Sequence, residues 1–264
     1  MPTSRTFVVA VAGLVALAVL TACDPLETFE ERRLDFTDTE QDQITEIRLS
    51  PGAGDLTVRT GTASGVEIKR VVRYRGEGNP DEATYRIEGT TLHLATDCGP
   101  QCSVSYQVVA PKGVAVRGEN GSGDVSLTDV AEVDLRVGAG DIRVSGASGA
   151  VRAETGSGDI TLSRISGPVT AHADAGNVEG RDLGNGKVQV ETGSGDITLT
   201  LATVGSVEAR ASSGSIELRV PAGSYRVRTS PDIPDSQIEV RDDPTATEVL
   251  DVWADSGDVT IRQI

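Results

Sequence analysis

From about Val114 onward, aliphatic and polar residues alternate in short runs that glycines interrupt at regular intervals. Val125 and Leu127, Ile142 and Val144, Ile160 and Leu162, Ile197 and Leu199, and Ile216 and Leu218 follow one kind of turn. A second alternating run leads into the next such turn: Val133, Leu135 and Val137, then Val151 and Ala153, Val169 and Ala171, Val188 and Val190, and Val207 and Ala209. A period of two places these residues on one face of a strand, so each interval predicts two strands. The turns share a form, Gly121-Ser122-Gly123-Asp124 in the first. The fourth position recurs at Asp141, Asp159, Asn177, Asp196 and Ser215, in steps of 17, 18, 18, 19 and 19 residues.

Fixed steps of this size predict an all-β fold, a single-stranded β-helix or solenoid with rungs of about 18 residues and two strands per rung. A β-sandwich has no reason to keep a constant step. Two strands facing each other across a thin interior need small aliphatic fillers. The composition agrees: the chain has three Phe, four Tyr and one Trp in 264 residues, and none of them falls between Lys112 and Gly223. The regular repeats span 114–220. Similar turns end at Asp55 and Asp258, but these lie 69 residues before Asp124 and 43 after Ser215, neither a whole number of rungs. Residues 44–113 are therefore expected to hold irregular N-terminal rungs, and 221–264 the C-terminal rungs and cap. Tyr74, Tyr85, Tyr106, Tyr225 and Trp253 are expected to close the two ends, Trp253 as a cap and not as a ligand-stacking ring.

The first 22 residues read as an export leader: Arg5, an apolar run from Phe7 to Leu20, then small residues. That run is shorter than the ~20 residues of a spanning helix. Leu20, Thr21, Ala22 and Cys23 resemble the bacterial lipobox, which implies acylation of Cys23 and cleavage on its amino side. Two or three acyl chains, at about 0.8 kcal/mol per buried CH2, hold a protein firmly on a membrane. Residues 23–43 are polar and densely charged, and predict a flexible tether; a short helix across Phe29 to Phe36 is the alternative. Cys98 and Cys102 bracket Gly99, Pro100 and Gln101 between the strand-like runs 91–96 and 103–109. Export permits a disulfide, and the two cysteines are expected to staple a hairpin there.

The stretch from Val104 to Val144, with Pro111-Lys112-Gly113 ahead of the first Gly-Ser-Gly-Asp turn, resembles the bacterial putative-adhesin (DUF4097) family, and the similarity runs from about residue 44 to the end. The resemblance implies a β-solenoid of envelope proteins with an adhesive or envelope-stress role, and it brings no catalytic residues.

Charge narrows the remaining choices. Against 24 Lys and Arg stand 40 Asp and Glu, a net charge of −16 that disfavours nucleic acid. Equivalent aspartates in stacked rungs would lie roughly 5 Å apart, repelling by about 3 kcal/mol per pair at an effective dielectric of 20. Asp124, Asp141, Asp159, Asn177 and Asp196 thus form a candidate cation ladder, with calcium the natural ion and Glu119, Glu154 and Glu191 as second carboxylates near three of the turns. The simpler reading is of turn aspartates that face solvent and accept bonds from nearby backbone N–H groups. Asn177 and Ser215 interrupt the charge, and the calcium β-roll repeat has a different spacing.

No nucleophile elbow, phosphate loop or zinc helix is present, and His93 and His172 read as surface histidines. Groove-type carbohydrate-cleaving solenoids line one face with stacking aromatics, which the central rungs lack, so no enzyme is expected. The sequence predicts a lipid-anchored interaction, adhesin-like or scaffold module on the extracytoplasmic face of the cell membrane. Its partner would be an envelope protein or a glycan. The alternatives are a glycan-binding or carbohydrate-active protein and an envelope-stress accessory.

Overall fold

The computed structural model describes residues 31–62, 65–76, 80–229 and 237–264. The expected leader and the lipid site at Cys23 lie outside them. The N-terminal strands are β1 (Arg32–Glu40), β2 (Glu46–Ser50), β3 (Leu56–Gly61), β4 (Val66–Tyr74), β5 (Tyr85–Glu88), β6 (Thr91–Ala95) and β7 (Cys102–Pro111). The regular rungs follow with β8 (Ala115–Ser122), β9 (Val125–Val130), β10 (Val133–Ala139), β11 (Ile142–Ala147), β12 (Val151–Ser157), β13 (Ile160–Ile165), β14 (Val169–Ala175), β15 (Val178–Leu183), β16 (Val188–Ser194), β17 (Ile197–Leu201), β18 (Val207–Ser213) and β19 (Ile216–Val220). The chain ends with β20 (Arg226–Thr229), β21 (Gln237–Ile238), β22 (Val249–Ala254) and β23 (Val259–Gln263).

From β6 onward successive strands join opposite sheets, and the fold is an all-β solenoid. The odd-numbered regular strands β9 to β19 stack in order in one sheet, here sheet A, and the even-numbered β8 to β18 in the other, sheet B. All these pairings are parallel, and all but one keep register throughout: between β15 and β17 it shifts between Gly180 and Leu183. Ile142 lies opposite Val125 and Ile160, and Val133 opposite Val116 and Val151. The alternation explains why. In β13, Ile160 and Leu162 are buried and Thr161 and Ser163 are not; a slip of one residue would turn the aliphatic row out into water. The inward rows of the two sheets form one continuous aliphatic core along the rod.

At both ends the order of rungs in space departs from the order in sequence. The rung β2–β3 is sandwiched between β6–β7 and the first regular rung, β8–β9. At the other end β22–β23 stacks directly on β18–β19, while β20 and β21, earlier in the chain, lie outside it. The breaks of 69 and 43 residues are therefore excursions to an outer layer and back, not gaps in the stack.

Three expectations are corrected here. Residues 32–40 do not belong to a tether, nor to a helix: they form β1, antiparallel to β4, with Leu34 and Phe36 packed against the core. Their alternation was hidden among the charges that line this edge strand and discourage pairing with another chain. Cys98 and Cys102 do form a disulfide, with Cα atoms 5.3 Å apart. It staples a turn flanked by one antiparallel bridge, Asp97 with Ser103, beyond which β6 and β7 part into opposite sheets, so the expected hairpin is no longer than that bridge. Finally, among the described residues Trp253 covers no end of the stack. It occupies an outward position of β22 between buried Val252 and Ala254 and is 37% exposed.

The tyrosines fare differently. Tyr106 is fully buried at the N-terminal end, its hydroxyl 2.9 Å from the carbonyl oxygens of Thr84 and Ala95, and burial pushes its phenol up to about 12. Tyr225 is buried at the other end and donates to the carbonyl of Pro221 at 2.9 Å. Arg70 is also buried in the N-terminal end. Its guanidinium lies 4.0 Å from the centroid of the Phe36 ring and donates to the carbonyl of Glu82 at 2.6 Å, drawing a loop across the open end of the stack.

Candidate interaction faces

The recurring turn builds a spine along one corner of the rod. The carboxylate Oδ1 of Asp55 accepts the backbone N–H of Asp124 at 3.0 Å, Asp124 accepts that of Asp141 at 2.9 Å, and Asp141 that of Asp159 at 2.8 Å. Asp159 accepts Asn177 at 2.8 Å, the Asn177 side-chain oxygen accepts Asp196 at 2.9 Å, and Asp196 accepts Ser215 at 2.7 Å. The Ser215 hydroxyl receives the last bond, from Asp258, at 3.2 Å. Asn177 and Ser215, which interrupt the charge, preserve the acceptor. An oxygen at this position, not a negative charge, is what the spine uses.

Glycine permits the close approach of successive turns. Gly158 has a φ of 142° and lies against Gly140 of the preceding rung so closely that an added Cβ would overlap its carbonyl oxygen. Three inward polar residues complete the corner. Asn120, Thr155 and Thr192 are buried and donate to the carbonyls of Gly54, Gly140 and Gly176 at 2.9, 2.9 and 2.8 Å. Each satisfies a glycine carbonyl of the neighbouring rung from inside the core.

The second carboxylates expected near the turns are engaged elsewhere. Glu154 pairs with Arg136 at 2.8 Å and with Arg152. Glu119 stands beside Arg136 in register, and Glu191 beside Arg210. At the turns themselves, Arg143 lies 2.6 Å from Asp141 and 3.8 Å from Asp124. Among the described residues no three His, Cys, Asp or Glu side chains converge in a metal-binding group.

The outward face of sheet B is a lattice of opposite charges. One row runs Glu119, Arg136, Glu154, His172, Glu191, Arg210 and Trp253 across adjacent strands; the next runs Arg117, Asp134, Arg152, Thr170, Gln189, Glu208 and Asp251. Unlike charges stand opposite one another through much of both rows, the arrangement that favours sheet pairing. His172 is 40% exposed, with Nε2 2.9 Å from Asp174 and Nδ1 3.8 Å from Glu191, whereas His93 is mostly covered and lies 3.4 Å from Glu88. Glu208 gathers Lys187, Arg210 and Gln189, and these bonds, that from Lys187 first, hold its carboxyl at about 2.

Sheet A presents a different surface. Hydroxyls of Thr161, Ser163, Thr198 and Thr200 alternate from strand to strand with the ion pairs Glu179–Arg181 and Glu217–Arg219. Concavities are shallow. One of about 470 Å³ lies at the second corner between Lys112, Asp129 and Arg164, and another of about 460 Å³ lies over sheet B among Arg117, Asp134 and Arg136.

The sequence profile of the Toastrack DUF4097 family matches residues 39–262. The chain belongs to this family. Two solved structures resemble this Toastrack chain. A putative adhesin from Bacteroides fragilis is 16% identical, with 88% of this chain and 97% of that chain covered and a TM-score of 0.49. A putative cell adhesion protein from Clostridium sporogenes is 15% identical, with 88% and 100% covered and a TM-score of 0.33. No curated protein matches the chain.

Within the Toastrack fold, Asp124, Asp141, Asp159, Asn177 and Asp196 stack in one line, and Asp55 and Asp258 extend it. What the sequence reading missed was the exposure of Trp253. The signal was present: Leu250, Val252 and Ala254 occupy one phase of the alternation, which leaves Trp253 in the other.

Proposed function

We propose that this protein is a non-enzymatic interaction module of the bacterial cell envelope, anchored by lipid at Cys23 on the extracytoplasmic face and presenting the rod to a partner. The observation that carries this reading is the pair of long, in-register outward faces. Their charged and hydroxyl side chains repeat from rung to rung on a continuous core, which fixes their spacing. A face built this way offers an extended pattern of donors and acceptors instead of one enclosed reaction centre, and such complementarity governs partner choice and register. The connections at the second corner, 148–150, 166–168, 184–187 and 202–206, differ in length and composition, as surface segments free of packing duty can. The lipobox-like tetrad before Cys23 supports the anchor, and the disulfide between Cys98 and Cys102 is compatible with an oxidising compartment.

The anchor is tested by Cys23→Ala. The variant should leave the membrane fraction and lose incorporation of radiolabelled palmitate; retention of both would reject acylation. The module is tested by crosslinking intact cells. A partner should be recovered with the full chain and lost when the rod is replaced by an unrelated domain behind the same leader and Cys23. Recovery independent of the rod would reject the reading.

A further inference from the structure

Trp253 breaks the pattern of the face on which it stands. Its row is charged or ionisable from Glu119 to Arg210, and an indole follows on the next strand. The ring is exposed although it belongs to a strand whose alternate residues are fully packed. It is also fixed: the indole N–H donates to the carboxylate of Asp251 two residues earlier. Arg210 lies beside it in register, held in turn by Glu208. An apolar ring face is thereby set among oriented acceptors and donors, on a flat and accessible sheet.

A protein hot spot surrounds a tryptophan with groups that keep water from it. The neighbours here do the opposite, since Arg210, Glu208 and Asp251 are hydrophilic. A pyranose ring has matching chemistry, with one face of C–H bonds for the indole and a rim of hydroxyls for carboxylates and a guanidinium. Around the ring the carboxylates of Asp251 and Glu208 are offset by Arg210 and by Arg228, which stands opposite Asp251 in register, so the site offers paired donors and acceptors without a net charge and suits an uncharged sugar.

We propose that Trp253, with Asp251 and Arg210, forms a binding platform for neutral hexopyranose units of a glycan. The indole stacks on the sugar ring while Asp251 accepts from, and Arg210 donates to, its hydroxyls. The proposal rests on the reading of the rod as an interaction module and is independent of the lipid anchor.

Trp253 is the sole tryptophan in the chain, so indole emission, excited at wavelengths where tyrosine does not absorb, reports on this site alone. The full chain, expressed with its leader and purified in detergent micelles, is titrated with cellohexaose, chitohexaose and mannohexaose to millimolar concentration. At least one should shift the emission saturably. By calorimetry, Trp253→Ala should weaken its binding by about tenfold or more, Trp253→Tyr should restore part of it, and Asp251→Ala should weaken it with the ring in place. Trp253 is 37% exposed, so Trp253→Ala should lower Tm only modestly and leave the far-ultraviolet spectrum of the rod unchanged, which separates lost binding from lost fold. Unchanged emission with all three sugars overturns the proposal, and so does equal binding by Trp253→Ala. Self-association that disappears in Trp253→Ala would make the ring a contact between copies and also overturn it. Crosslinking of the same variant in cells distinguishes the two readings: a partner still recovered leaves the module standing while the sugar platform falls.

Discussion

The backbone N–H of Asp124 donates to Oδ1 of Asp55 across 3.0 Å, although 69 positions separate them in the chain. This bond is the same as those between consecutive regular rungs, so the spine does not register that six strands, β3 to β8, intervene in sequence where a regular step has two. The Asp258 to Ser215 contact repeats the relationship at the other end, across 43 positions. A rung is defined by what it stacks on, not by when it is synthesised.

The spine requires an acceptor, so replacement of Asp159 should depend on whether an oxygen remains. Asp159→Asn keeps it and should change stability by no more than about 0.5 kcal/mol, with any gain largest at low salt, where relief of repulsion from Asp141 is least screened. Asp159→Ala leaves the N–H of Asn177 without that partner and should cost about 1 kcal/mol. Urea unfolding at low and high ionic strength measures both.

Gly158→Ala should be far worse than Gly89→Ala. Both glycines have positive φ, 142° and 62°, but only at Gly158 would the new methyl meet the carbonyl of a neighbouring rung; nothing lies within 4 Å of the site at Gly89. The second change should cost about 1 kcal/mol in backbone strain, the first more than about 2 kcal/mol through forced separation of rungs. Thermal unfolding of the two variants side by side checks the difference.

The disulfide closes a short loop, its cysteines only 4 positions apart. The chain-entropy account gives it roughly 2 kcal/mol at most. Reduction, or the double substitution Cys98→Ser and Cys102→Ser, should lower Tm modestly and leave the far-ultraviolet spectrum of the rod unchanged, because the parallel ladders on either side do not pass through it.

Acid should weaken the C-terminal half through Glu208 and Asp243. Bonds from Lys187 and then Arg210 lower the Glu208 carboxyl from its ordinary 4.5 to about 2, and the Ser224 and Thr245 side chains lower Asp243 from 3.8 to about 2. A carboxyl depressed in the folded state binds its proton more readily when unfolded. Its contribution is therefore present above the unfolded value and lost as pH falls from about 4.5 to about 2. Urea midpoints measured through that window should fall with pH, and Glu208→Gln should make the decline shallower. The effect should be small, since both carboxyls remain in contact with water.

Calcium should leave the melting temperature unmoved. Oδ1 of each turn aspartate from Asp124 to Asp196 already accepts an amide of the next rung, and Arg143 faces the second oxygens of Asp124 and Asp141. Six to eight oxygens are needed around the ion. Calorimetric scans in millimolar calcium and after EDTA should superimpose; a rise of several degrees with calcium would show that the spine rearranges to bind it.

The sequence by itself determined the rung. Alternation states which residues leave water, glycine spacing states where the chain turns, and both are properties of neighbours along the backbone. Hence the regular repeats of 114–220 could be placed in two facing sheets with the turn aspartates aligned, whereas Trp253, expected as a cap, stands in the outward phase of β22. Tertiary structure alone decided which rung rests on which at the ends. The β2–β3 pair presents the same alternating faces whether it caps the stack or sits inside it, and β1 gains its place only from the antiparallel edge that β4 supplies. Burial of Arg70 and the corner held by Cys98 and Cys102 follow from that closure. The physical reason is that the open end of a parallel stack can be covered by any suitably patterned strand, and the choice rests on contacts between residues far apart in the chain, which no local pattern encodes.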